Sequence, residues 1–147
     1  MDAAYAELHC LSNFTFLRGA SHPEELVERA RDLGYRALAL TDVCSLAGVV
    51  KAHVAAKELG VHLIIGSELA LEEGLRLVAL VPNRAAYSEL SGLISMARRR
   101  SPKGEYRASL RDVIFHLKRC LLIWLPQADD ERNRAYGLQL QRLCRDR

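Results

Sequence analysis

Two rhythms of apolar residues run along the chain, one of period two and one of helical period, and they take turns. Residues 5–11 alternate as a strand, and the spacing predicts that Glu7, His9 and Leu11 share one face while Leu8 and Cys10 share the other. Ser21 with Glu24 three residues on, and Pro23 between them, predicts a capped helix over about 23–33. Gly34 then falls where a left-handed cap residue belongs. A short apolar strand over 36–41, a turn over 42–45 and a helix over 46–59 closed by Gly60 follow. The third strand is expected over 61–68, with a hairpin through Glu72-Glu73-Gly74 returning over 75–81. Asn83 caps a helix over about 84–96. A short helix near 110–117, a strand over 120–125 and a helix over about 129–143 complete the pattern. Repeated strand-helix units predict an α/β fold on a parallel sheet, open or closed into a barrel.

Composition adds limits to this picture. The 147 residues, half of them hydrophobic, suffice for one domain. No apolar run reaches the eighteen or so residues of a membrane span. No basic-then-apolar leader opens the chain, so a cytoplasmic protein without membrane partners is expected. Cys10, Cys44, Cys120 and Cys144 are scattered without a Cys-x-x-Cys pair, which argues for reduced thiols rather than a zinc knuckle or a disulfide framework. A net charge of +3 does not by itself imply nucleic acid.

In sheets of this kind chemistry collects at the C-terminal ends of the strands. Those ends carry His9 and Leu11, then Thr41-Asp42, then Gly66-Ser67-Glu68. Each has a plain structural alternative: His9 as a hydrogen-bonded core residue, Asp42 as a turn or cap, Glu68 as an exposed strand end. Three polar clusters at equivalent positions together predict a site.

Leu8-His9-Cys10-Leu11-Ser12-Asn13-Phe14-Thr15-Phe16-Leu17-Arg18-Gly19-Ala20 resembles the first motif of the PHP (polymerase and histidinol phosphatase) domain. Thr41-Asp42-Val43-Cys44-Ser45 resembles its second motif, Thr-Asp-His-Gly, and Gly66-Ser67-Glu68 its third, Gly-x-Glu. More narrowly, the stretch is similar to the PHP domain opening C-family (polymerase III alpha-type) bacterial DNA polymerases, in their error-prone, damage-induced branch. The resemblance implies a (β/α)7 barrel of which about five strands are present. Residues 1–147 would then be a single, C-terminally truncated PHP fragment lacking the later strands and all polymerase domains.

In that family, zinc or manganese ions held by histidines and carboxylates polarise a phosphoryl group and supply hydroxide; magnesium serves the polymerase site. Here three ligand positions that the resemblance implies are Leu11, Val43 and Arg76, the last a permanent cation. His9 and Glu68 remain, with Asp42 as a supporting carboxylate. Two ligands are fewer than even one catalytic zinc takes. The resemblance therefore implies a non-catalytic module with a degenerate metal site and no cofactor in this chain. The alternative is a metal-dependent phosphoesterase or 3′-5′ proofreading exonuclease with a reduced site. Implied partners are the rest of the polymerase and, through it, DNA, with accessory proteins of a mutagenesis cassette and the sliding clamp. Arg98, Arg99, Arg100, Lys103 and Arg107 form a basic segment that reads either as a phosphate contact or as a solvated loop.

Overall fold

Helix α1 (Pro23–Asp32) shows how local sequence sets the boundaries of this fold. Its N-cap is His22, one residue later than the expected Ser21, and the Glu25 carboxylate accepts the His22 N–H at 2.7 Å. Pro23 takes the first helical position, where its missing N–H costs nothing. At the other end Gly34 adopts φ +67°, and the Tyr35 and Gly34 amides donate back to the carbonyls of Ala30 and Arg31. That pair of bonds is a Schellman motif, and it ends the helix where Gly34 predicted.

The computed structural model describes residues 5–143, so Cys144 lies outside it. Two compact units divide the chain between Glu68 and Leu69. In the first, β1 (Ala6–Cys10), β2 (Ala37–Leu40) and β3 (Leu63–Ala70) are joined through α1 and α2 (Val49–Leu59). β1 pairs with β2, and β2 with β3, both in parallel. Every residue of β2 is buried, as a parallel central strand requires. Leu38 and Leu40 pack on Val27 and Ala30 of α1 and on Val49, Ala52, Ala55 and Ala56 of α2. Truncating either leucine to alanine would remove about 2–5 kcal/mol. Gly60, at φ +69°, closes α2.

One expectation for β1 is corrected. The register with β2 slips between Glu7 and Cys10, so Leu8 and His9 lie opposite the single residue Ala39. An extra residue of this kind is a bulge, and it breaks the strict two-residue alternation expected across 7–11.

In the second unit the chain reverses through a turn in which Leu71 N–H bonds to Leu75 O, with Gly74 at φ +88°. β4 (Arg76–Val81), α3 (Arg84–Arg99), α4 (Leu110–His116), β5 (Leu121–Trp124) and α5 (Asp130–Leu143) follow. Asn83 Oδ1 caps α3 by accepting the Ala86 N–H at 3.0 Å, and Ser109 caps α4 through Asp112 N–H at 3.2 Å. Leu77, Val78 and Ala79 of β4 and Leu90, Leu93 and Ala97 of α3 are fully buried. β4 and β5 pair antiparallel, a direction that the spacing of strands and helices leaves open. The alternation of strand and helix is the same for either direction, so sequence spacing alone does not distinguish them. Among the described residues no helix is long and apolar enough to cross a membrane.

Candidate functional site

The first unit brings three strand ends together by main-chain bonds. Thr41 N–H donates to Cys10 O, Glu68 N–H to Thr41 O, and Cys44 N–H to Glu68 O, all at 2.8–3.0 Å. Val43 forms a parallel bridge with Glu68. These bonds hold His9, Asp42 and Glu68 at the same end of the strands, where the sequence placed them.

Asp42, 2% exposed, is enclosed by hydrogen-bond donors from the loop after β1. Its Oδ1 accepts the Ser12 N–H at 2.8 Å and the Thr15 hydroxyl at 2.6 Å, and its Oδ2 accepts the Ser12 hydroxyl at 2.7 Å. Thr15 Oγ1 in turn accepts the Val43 N–H at 3.0 Å. Asp42 is thus an anchor for residues 12–15 as well as a strand-end residue. The same loop closes tightly on itself: Gly19 N–H donates to Thr15 O at 3.0 Å, and a Cβ on Gly19 would stand 1.9 Å from Ser12 O. Only a residue without a side chain fits there. Between these fixed points Leu17 takes φ +64°, an uncommon conformation for a side-chain-bearing residue, and it and Phe16 are exposed.

Glu68 has a buried carboxylate, its side chain 1% exposed. His9 Nε2 lies 2.8 Å from Oε2, and because an ionised carboxylate only accepts, Nε2 is the proton-bearing nitrogen in this contact. Arg18 supplies a guanidinium fork, Nη1 to Oε1 at 2.8 Å and Nη2 to Oε2 at 3.1 Å. Bidentate pairs of this kind are among the stronger charge-assisted hydrogen bonds. Arg18 was within the motif read from sequence, but nothing in its spacing marks it as a partner of a residue fifty positions away.

Leu11 and Val43 lie in this unit, both half-buried, and bring no donor atom that could bind a metal. Arg76 opens β4 in the second unit. Burial, then the charges of Glu7 and Asp42, push the Cys10 thiol up to about 11, so it stays protonated at neutral pH. Among the described residues no group of three or more His, Cys, Asp or Glu side chains is gathered around a common point.

The basic segment is largely turned to internal use. Arg98 donates to the Gly104 and Glu105 carbonyls at 3.3 Å and lies 5.3 Å from the Tyr106 ring centre. Arg100 donates to Arg107 O at 2.8 Å and pairs with Asp112, and Arg107 pairs with Glu72 at 2.9 Å. Arg99 and Lys103 are exposed.

Comparison with known proteins adds identity to this geometry. The model of the family described as PHP domain matches residues 7–131. An error-prone DNA polymerase of Saccharophagus degradans is 61% identical over 122 residues, which are 83% of this chain and 12% of that protein. One of Methylococcus capsulatus is 57% identical over 141 residues, 95% of this chain and 14% of that protein. The chain thus spans between 12% and 14% of the length of these curated relatives. Among solved structures, a protein of Bifidobacterium adolescentis described provisionally as a metal-dependent phosphoesterase superposes with a TM-score of 0.55 at 26% identity. That match covers 80% of this chain and 44% of the other. An amidohydrolase of Chromobacterium violaceum, with bound sulfate and no metal, gives 0.54 at 28% identity, covering 65% of this chain and 34% of the other. The α/β fold of PHP type expected from the sequence is the one these matches carry.

Proposed function

Because the chain belongs to the PHP domain family, we propose that it acts as the PHP module of an error-prone DNA polymerase, and that its role there is structural rather than catalytic. The relatives' names support the setting. The observation that carries the structural role is the donor set at the strand ends. Leu11 and Val43 bring no ligand atoms, Asp42 already accepts three hydrogen bonds from Ser12 and Thr15, and both oxygens of Glu68 are already engaged by His9 and Arg18. Even one catalytic zinc takes three protein ligands, and a cluster takes more. The residues present therefore do not fit the metal group of catalytic PHP domains.

In this reading the module braces the rest of a polymerase that acts in translesion synthesis and repair in the cytoplasm. DNA is met through that polymerase, and Arg99 and Lys103 are the side chains of the basic segment open to its phosphates. Accessory proteins of a mutagenesis cassette and the sliding clamp are partners of the whole assembly rather than of this site. The likeness to a protein described as a metal-dependent phosphoesterase favours a second reading, a phosphoesterase or 3′-5′ exonuclease with a reduced site.

Elemental analysis of the purified chain, together with hydrolysis of bis(4-nitrophenyl) phosphate and of a 3′-labelled DNA primer, separates the two. The structural reading expects no stoichiometric zinc, manganese or iron and no chelator-sensitive hydrolysis. Two metal ions per chain with EDTA-sensitive cleavage would establish the second reading instead.

A further inference from the structure

An ionised carboxylate as deep as Glu68 is unfavourable unless a positive charge and hydrogen-bond donors replace the water it has lost. In a metal-bearing site the cation does this. Here the guanidinium of Arg18 lies across both oxygens in a bidentate fork, and His9 meets Oε2 as well. A divalent ion seeking Glu68 would have to displace a permanent cation from those oxygens and then sit beside it. The chain commits its local backbone to this arrangement. Gly19 lets the loop close against Ser12, and Leu17 holds a left-handed conformation that is unfavourable for a side-chain-bearing residue. The arginine's outer part still reaches solvent, its side chain being 42% exposed against 1% for Glu68.

We propose that Arg18 is the protein's own replacement for a bound cation at Glu68: it neutralises the buried carboxylate, ties the loop after β1 to β3, and closes that carboxylate to metals. The proposal rests on the non-catalytic reading above and says what took the metal's place. Arg18 is a positioning residue, not a catalytic one.

The test is a double-mutant cycle on the full chain, followed by thermal melting at neutral pH with and without zinc or manganese chloride. Arg18→Met should lower the melting temperature by about 5 °C or more, because it strands a buried charge. In a Glu68→Gln background the same change should cost less than about 2 °C, because no charge remains to be neutralised. Arg18→Lys, which keeps the charge and loses the fork, should fall between parent and Arg18→Met. Added zinc or manganese should leave the parent unmoved and restore part of the loss in Arg18→Met. If Arg18→Met does not fold, a folded Arg18→Met/Glu68→Gln protein supports the proposal and an unfolded one overturns it. Equal losses in both backgrounds, or an Arg18→Met protein that melts with the parent, also overturn it while leaving the non-catalytic reading intact. A parent that carries stoichiometric metal and hydrolyses phosphoesters overturns that reading instead.

Discussion

Replacing Asp42 tests whether the site now works as a loop anchor. Three donors end on this buried carboxylate: the Ser12 N–H and the Thr15 hydroxyl on Oδ1, and the Ser12 hydroxyl on Oδ2. Asp42→Ala leaves the Ser12 amide without its acceptor in a buried place, at about 1.5–3 kcal/mol, and the two hydroxyls add about 1 kcal/mol each. A loss of about 4 kcal/mol is therefore expected, a large part of the 5–15 kcal/mol typical of a domain. Asp42→Asn keeps the Oδ1 acceptor for Ser12 N–H and Thr15. Only the Ser12 hydroxyl, whose oxygen already accepts the Phe14 N–H at 3.2 Å, must find a new direction. That variant should lose about 1 kcal/mol, roughly the worth of one hydrogen bond. Urea denaturation followed by far-ultraviolet circular dichroism measures both, with the slope checked for constancy. The reasoning is refuted if Asp42→Ala loses less than about 1.5 kcal/mol, or if the asparagine variant is as damaged as the alanine one.

Three further outcomes are expected. Burial pushes the Asp112 carboxyl up, but the hydrogen bonds from Arg100 and from the Ser109 N–H and hydroxyl outweigh it and hold the group at about 2. Its folded pKa is thus depressed, so its contribution is present above the unfolded value near 4 and is lost as pH falls from about 4 to 2. That contribution is about 1 kcal/mol, screened because the Arg100 side chain is 38% exposed, and it should be missing from Asp112→Ala when denaturation is compared at pH 5 and pH 2.5. Leu17→Gly relieves a positive φ and removes a side chain that packs on nothing, so it should leave stability unchanged or raise it by up to about 1 kcal/mol; a loss greater than that would show that Leu17 is buried in solution. Leu11→His with Val43→His should bind zinc at least about ten-fold more tightly in an Arg18→Met background than with Arg18 in place, by direct titration; equal affinities would mean that these side chains do not converge on Glu68.

Signals confined to a few adjacent residues were legible in the sequence. Gly34, Gly60 and Asn83 marked helix ends because left-handed backbone and side-chain capping depend on the residue itself. The placement of His9, Asp42 and Glu68 at strand ends followed from period and topology. The all-apolar run of β2 announced its burial on both faces. What was not legible depends on distance. The antiparallel pairing of β5 with β4 joins residues more than forty positions apart, and strand-helix spacing is blind to direction. The slip in β1 arises from pairing with β2. The cap of α1 moved by one residue because Ser21-x-x-Glu24 and His22-x-x-Glu25 both satisfy parts of the same motif, and Pro23 prefers the first helical position. Arg18 is the instructive miss, since a long flexible side chain can fold back or extend, and only the tertiary path of the loop decides which.

The Arg18–Glu68 pair also fixes the order in which this site could ever change. On the proposal, ligands added at positions 11 and 43 while the arginine is in place would gain metal only weakly, so those substitutions would bring little benefit when they come first. Removing the arginine first leaves Glu68 uncompensated until ligands and metal arrive. On that proposal each single step away from the present arrangement would be neutral or costly. If Arg18 closes Glu68 to metals as proposed, the ion pair would act as a ratchet, opposing a metal site by the cost of the intermediates rather than by the merit of the end point.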